Sequence, residues 1–399
     1  MALILSGSMG VKLLSLLVVS VAARTVGFVT VGLVFFAEAT AEVLLKTADF
    51  GLSDVLARRT ARGETGGESL AQAAMVRGAG LLVCTLLFAA GMWVVLPEHA
   101  PVAIGFFVVH GIFVFHELGR ALLLGQERFG LNAAFALVAR AVATALAVGG
   151  LLAGYGVRAW LVAALLGEVI QAVAVFVAGA RLVRGRPLAS NRTLLEEGLP
   201  FWILLALRTV GAHICVPVVA IWVGLEATGF FGVATRVMDG GLMLFSTASY
   251  AIYPALARER GRLVSRRHVQ GVVGLALATS VAILVGAPVV SWVVAGAGAP
   301  VMVRTIRVLA PAVGLLAVCR LIEVWMFARD RERLLAGVSL LETLLTLAAL
   351  VILVPSLLLT GAALAILAGA AVRLTGLGWG MAREMRSTRA RSAPDTRAG

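Results

Sequence analysis

The chain has 399 residues, 60% of them hydrophobic and 14% charged, with a mean hydropathy of +1.00 and a formal net charge of +13. A soluble domain of this size could not bury so much apolar surface, which leaves a polytopic membrane protein. The positive charge sits in short arginine runs between apolar segments, as in cytoplasmic loops, and forms no nucleic-acid-binding stripe.

About twelve spans can be drawn. Span 1 is Ala2 to Ala23, closed by Arg24. It lacks a basic n-region and the next span follows at once, so it reads as a transmembrane helix and not a signal peptide. Span 2, Phe28 to Ala57, exceeds the length a bilayer needs and is expected to tilt or to run along the interface. Spans 3 to 6 are Leu70 to Leu96, Val102 to Leu124, Leu131 to Ala153 and Ala159 to Ala180. The longest internal connection, Arg181 to Gly198, then divides the chain. Spans 7 to 12 are Leu199 to Gly224, Gly229 to Ala257, Val269 to Ala295, Thr305 to Ala328, Leu334 to Val354 and Gly361 to Met381. The expected organisation is a six-helix lobe over 1–180, a linker over 181–198, a second six-helix lobe over 199–382 and a disordered basic tail over 383–399.

Loop charge orients this topology. Twenty-two arginines fall on the side of the tail and only four, Arg24, Arg158, Arg304 and Arg307, on the other. The positive-inside rule therefore places both termini in the cytoplasm of a cell-membrane protein. The halves also share landmarks 200 to 205 residues apart: VLARRTARG from Val55 answers ALARERGR, and GQERFG from Gly125 answers ARDRERLLAG from Ala328. A six-span repeat keeps its orientation, so the chain reads as a parallel repeat.

Charges within spans are costly and usually face a cavity or a partner. Span 2 carries Glu38, Glu42, Lys46 and Asp49 at spacings of 4, 4 and 3, which align on one helical face. That face reads either as a cavity wall with a titratable carboxylate or as local ion pairs, Glu42 with Lys46 especially. Arg236 with Asp239 in span 8, and Arg320 with Glu323 in span 10, are pairs three apart. Arg208 has no carboxylate at i±3 or i±4. A guanidinium fork suits phosphate oxygens, so Arg208 and Arg320 are candidate anion ligands on chemistry alone. Glu38, Asp49 and Asp239 are candidate ion-coupling carboxylates. His110, His116 and His213 are too scattered for a metal site and read as packing or pore lining. The three cysteines lie in apolar runs and read as core residues. Pro217, Pro288 and Pro311 permit bends in spans 7, 9 and 10. No nucleotide-binding signature, metal-ligand spacing or cofactor motif is present in the sequence.

Several stretches together resemble the polysaccharide (O-antigen, Wzx-type) flippases, within the superfamily that also holds MATE drug exporters and lipid II flippases. They are AARTVG closing span 1, DFGLSDVLARR closing span 2, LLLGQERFGLNAA after span 4, EGLPFWI opening span 7, ATGFFGVATRV and AIYPALARERG in span 8, and FARDRERLLAG and VPSLLLTGAALA in spans 10 to 12. The resemblance implies two pseudosymmetric six-helix lobes around a central cavity, an all-α MATE-like fold. It also implies transport, not catalysis, of a polyprenyl-pyrophosphate-linked oligosaccharide between leaflets, among membrane lipids and beside downstream polymerase or glycosyltransferase machinery. Arg24 and Arg236 match basic positions of the family pattern. Phe231 stands where members usually have tyrosine, the polar lead before span 1 is missing, and the extra helices of the lipid II type are absent. A MATE-like cation antiporter is the alternative within the fold, set against the mainly basic deep sites. A membrane enzyme of glycan polymerisation is the alternative outside it, set against the short outer loops.

Overall fold

The computed structural model describes residues 2–61, 67–181, 191–258, 266–296, 299–327, 329 and 331–392. The middle of the inter-half linker, the last seven residues, and the loop arginines 62, 184, 186, 260 and 262 lie outside the described residues. Thirteen α-helices and no strand make up the described residues. They are α1 (Ala2–Thr25), α2 (Gly27–Thr47), α3 (Leu52–Ala61), α4 (Gly67–Val95), α5 (Ala100–Gly125), α6 (Phe129–Leu152), α7 (Gly156–Ala180), α8 (Asn191–His213), α9 (Cys215–Trp222), α10 (Leu225–Arg258), α11 (Arg266–Ala295), α12 (Pro300–Phe327) and α13 (Glu332–Ser392). Nine stretches among the described residues are long and apolar enough to cross a membrane. Large apolar side chains such as Leu82, Leu86 and Leu87 on α4 and Leu275, Leu277 and Val285 on α11 remain exposed. An apolar exterior on an all-helical bundle is what a bilayer requires, because each helix satisfies its own backbone.

A helix lies over every expected span, with three local corrections. Span 2 is not one long tilted helix. It breaks at Ala48–Gly51, where Phe50 and Gly51 take positive φ angles of 50° and 72°. The chain then restarts as α3, a short amphipathic helix that buries Leu52, Val55 and Leu56 against Leu118 and Leu122 of α5. Span 7 breaks between His213 and Cys215, where Pro217 in the next turn lacks the N–H that would bond the His213 carbonyl. By contrast, α11 and α12 run on through Pro288 and Pro311. The region from Arg383, expected to be disordered, continues α13 as far as Ser392, and the expected linker is already helical from Asn191.

Spans 11 and 12 are the two arms of α13, which reverses near Pro355 and Leu358 (φ 52°, ψ −128°). Gly361 lies against the Leu353 carbonyl, Gly369 against Thr346, Gly376 against Val338 and Gly380 against Leu334. These pairings identify an antiparallel helical hairpin.

One end of the bundle, where α1 starts, is the terminal end; the α1–α2 turn lies at the other, the turn end. The first six spans pack α1 on α6, α5 on α7 and α6 on α7, while α10 and α11 both pack on α12 and α12 packs on α13. The two sets meet chiefly through α2 and α10, which run side by side from the turn end. Their seam has little side-chain bulk. Gly32 lies so close to the Leu225 carbonyl that a Cβ would sit 1.7 Å from it, Gly229 abuts the Phe28 carbonyl, and Gly232 receives the Phe35 ring. Phe28 and Phe230 add a ring contact at 4.3 Å. At the terminal end Gly51 and Gly198 meet backbone to backbone, Phe50 stacks on Trp202 at 5.7 Å, and the Trp202 indole N–H donates to the Thr47 carbonyl. The halves thus touch at both ends and leave space between.

A charged central cavity

The space is a cavity of about 520 Å³ lined from α1, α2, α5, α6, α7, α8, α9, α10 and α11. Its ionisable lining is mixed: Lys12, Arg140 and Arg236 against Glu38, Glu42, Glu168 and Asp239, with His110 and His213. The expectation of mainly basic deep sites is therefore corrected, since cationic residues placed one by one along the sequence are met by carboxylates from other helices. All but His213 lie ten to fifteen residues along their helices from the turn end. At about 1.5 Å per residue they form a belt roughly 15–22 Å deep, near the middle of a hydrocarbon core about 30 Å thick.

Within the belt, each pairing joins different helices. Arg236 of α10 is bonded to Glu38 of α2 and lies over the Phe35 ring at 4.5 Å. Arg140 of α6 is 3.5 Å from Glu168 of α7. His110 of α5 is 3.3 Å from Glu42 of α2. Lys12 and Asp239 line the cavity without an ion pair among the described residues. Of the span 2 face, Glu38 and Glu42 reach the cavity, whereas Lys46 bonds Glu117 of α5 and Asp49 is buried with Arg77 of α4 and outside the lining. The local Glu42–Lys46 pair does not form; helices packed alongside provide the partners instead.

The four candidate arginines occupy three different places. Arg236 is in the cavity. Arg24 donates to the Trp292 carbonyl at 3.0 Å and to the Val293 carbonyl, capping the last turn of α11 at the turn end. A helix's final carbonyls have no intrahelical partner, and a cation there also suits the dipole. Arg208 and Arg320 belong to a separate cluster in the second half. Arg208 bonds Glu323, Arg320 approaches the same carboxylate at 3.2 Å, and Arg373 donates from Nε to it at 2.7 Å. Arg373 also reaches Glu342 at 2.9 Å. Arg208 lacks a carboxylate on its own helix, but folding places Glu323 against it. Of the coupling candidates, Glu38 and Asp239 face the cavity and Asp49 does not. His110 and His213, read from the sequence as packing or pore lining, do line the cavity, and Lys12, Arg140 and Glu168 are lining residues that span-by-span reading did not assign to a site. Their common depth is the signal that could have grouped them.

No cluster of three or more metal-ligating side chains occurs among the described residues. The fold is that of an all-helical membrane protein of two lobes about a central cavity. The chain belongs to the polysaccharide biosynthesis protein family, whose sequence profile matches residues 1–259. No curated protein sequence matches it significantly. Among solved structures it resembles the lipid II flippase MurJ in an inward closed conformation, with TM-score 0.76 and 11% identity over 96% of this chain and 87% of that one. A MATE transporter in complex with MaD3S gives TM-score 0.71 and 19% identity over 97% and 96%. A MOP superfamily transporter from Pyrococcus furiosus, described as having a binding pocket of reversed polarity, gives TM-score 0.71 and 18% identity over 96% and 94%.

Proposed function

We propose that the protein is a flippase that moves a polyprenyl-pyrophosphate-linked oligosaccharide from the cytoplasmic to the outer leaflet for surface glycan synthesis. The observation that carries this reading is a guanidinium, Arg236, held at mid-depth in an inter-lobe cavity of a chain from the polysaccharide biosynthesis family. A pyrophosphate concentrates negative charge that leaves water only for a strong cationic partner. Arg236, Arg140 and Lys12 provide such partners within one cavity. The cavity's size suits a headgroup and not a whole glycan chain, so the lipid tail stays in the bilayer through a lateral gap. The lobes, 1–180 and 199–382, rock about the α2–α10 seam. The terminal end faces the cytoplasm, as the arginine bias requires. Glu38 or Asp239 couples an ion gradient where one is used, and downstream polymerase or glycosyltransferase machinery draws the product away.

A second reading, export of an organic cation, draws on the four cavity carboxylates. It requires the ligand to settle among three cationic side chains, which favours the first reading. The deciding experiment is leaflet-resolved measurement of lipid-linked oligosaccharide in cells lacking this protein and any redundant flippase. The precursor should accumulate on the cytoplasmic leaflet, clear with wild type, and remain with Arg236→Ala at wild-type protein levels. Normal outer-leaflet delivery without the protein overturns the proposal.

A further inference from the structure

Glu38 shares one small hollow with two guanidiniums. It bonds Arg236 across the seam, and the hollow of about 30 Å³ is lined by Glu38, Arg236, Arg140 and Ser15 together. Arg140 is held only loosely by its own helix neighbour, 3.5 Å from Glu168. We propose that Arg236 and Arg140 form an anion site whose resident occupant in the ligand-free protein is the Glu38 carboxylate. A lipid pyrophosphate headgroup takes Arg236 by displacing Glu38, which passes to Arg140. The identity of the ligand rests on the flippase reading; the competition between Glu38 and an anion rests on the geometry.

Charge conservation in a partly solvated cavity favours this exchange. Parting an ion pair inside a protein strands two charges, which is far costlier than the pair itself was stabilising. An incoming anion neutralises Arg236, and the released carboxylate shares Arg140 with Glu168, so no guanidinium is stranded. A neutral or cationic ligand offers Arg236 nothing. Both members are also reachable from the cavity, with side-chain exposures of 28% and 31%.

The pair's position gives the exchange a mechanical consequence. Phe28 against Gly229, Gly32 against Leu225 and Gly229, Phe35 against Gly232, and Glu38 with Arg236 succeed one another at three- and four-residue steps along α2. The first three contacts are apolar or backbone contacts. The last is the only ion pair joining α2 to α10 among the described residues. Taking Arg236 away from Glu38 therefore removes the charged tie between halves, and the tie becomes an internal pair of the first half. Ligand binding is thereby coupled to separation of α2 from α10.

The test is equilibrium binding of inorganic pyrophosphate to the purified full-length protein, with farnesyl pyrophosphate as competitor. Arg236→Gln and Arg140→Gln should each weaken binding by about tenfold or more, as loss of a charge-assisted contact does. Glu38→Gln, which removes the internal competitor at nearly constant volume, should tighten it by about tenfold. Asp239→Asn removes a cavity carboxylate that ties no arginine among the described residues, and should tighten it much less. Unchanged or weaker binding in Glu38→Gln overturns the exchange, and so does equal tightening in Asp239→Asn, which would mean a diffuse field effect. Farnesyl pyrophosphate should displace the inorganic ion; failure to compete overturns the lipid headgroup as occupant. Because binding is read without translocation, the exchange stands or falls separately from leaflet accumulation in cells.

Discussion

The Glu38–Arg236 pair and the Glu323 cluster both put charge inside the spans, yet they are built in opposite ways. Glu38 and Arg236 are about one-third exposed, meet one to one, and belong to different halves of the chain. Glu323 is 4% exposed, is approached by Arg208, Arg320 and Arg373 at once, and lies wholly within the second half. Glu342 and the Thr343 hydroxyl, which donates to the Leu207 carbonyl at 3.0 Å, tie the same helices further. A solvated one-to-one pair can be exchanged for a ligand at modest cost. A shared buried carboxylate cannot, because its removal strands several guanidiniums together. Charge at membrane depth is therefore not in itself a mark of the transport site. Exposure to the cavity and a partner across the seam between the halves are what set Arg236 apart.

The contrast breaks most visibly at Glu323. Glu323→Gln leaves Arg208 and Arg320 without the carboxylate that neutralises them and Arg373 with Glu342 alone. The expected loss is about 3–5 kcal/mol, seen as poor recovery of monodisperse protein or a fall of roughly 5 °C in thermal unfolding. Arg236→Gln should behave differently. Glu38 can turn to Arg140 across the same hollow and to solvent, so stability should fall by only about 1 kcal/mol while lipid transport is lost. Equal destabilisation by the two substitutions would erase the distinction.

The sequence made one of these regions far more legible than the other. Span boundaries, the two-half organisation and the exposed apolar exterior follow from hydropathy and arginine placement, which act locally. Arg236 stood out because its residue type is costly in its own span. The repeat also located the axis, although its meaning is visible only in the fold: Phe28 meets Gly229 and Glu38 meets Arg236 at separations of 201 and 198 residues, close to the repeat offset. Spans 2 and 8, matched in the sequence, are neighbours in the fold as α2 and α10. Pairings between helices of unlike position were not legible. Nothing local to Arg208 announces Glu323, and nothing local to Lys46 announces Glu117, because helix rotation and depth decide them jointly. The break after Thr47 was hidden for a related reason: the apolar pattern continues through it, and only the close approach of Gly51 to Gly198 requires the chain to turn there.

The smallest effect expected is the most discriminating within the cluster itself. Arg320 is 40% exposed and touches Glu323 at 3.2 Å from the same helical face, three residues away. Its neighbours Arg208 and Arg373 bond that carboxylate from other helices. Arg320→Gln therefore removes a cation that solvent already screens and leaves Glu323 doubly paired. Its cost should stay within about 1 kcal/mol, with pyrophosphate binding unchanged because Arg320 does not line the cavity. Arg373→Gln, which takes a nearly buried guanidinium from both Glu323 and Glu342, should cost several times more. Thermal unfolding of the two variants side by side checks the order. If Arg320→Gln proved as damaging as Arg373→Gln, the cluster would depend on its total positive charge and not on which helices the arginines join. If Arg320→Gln instead abolished pyrophosphate binding, this arginine would belong to the ligand's path and the separation of the two regions would fail.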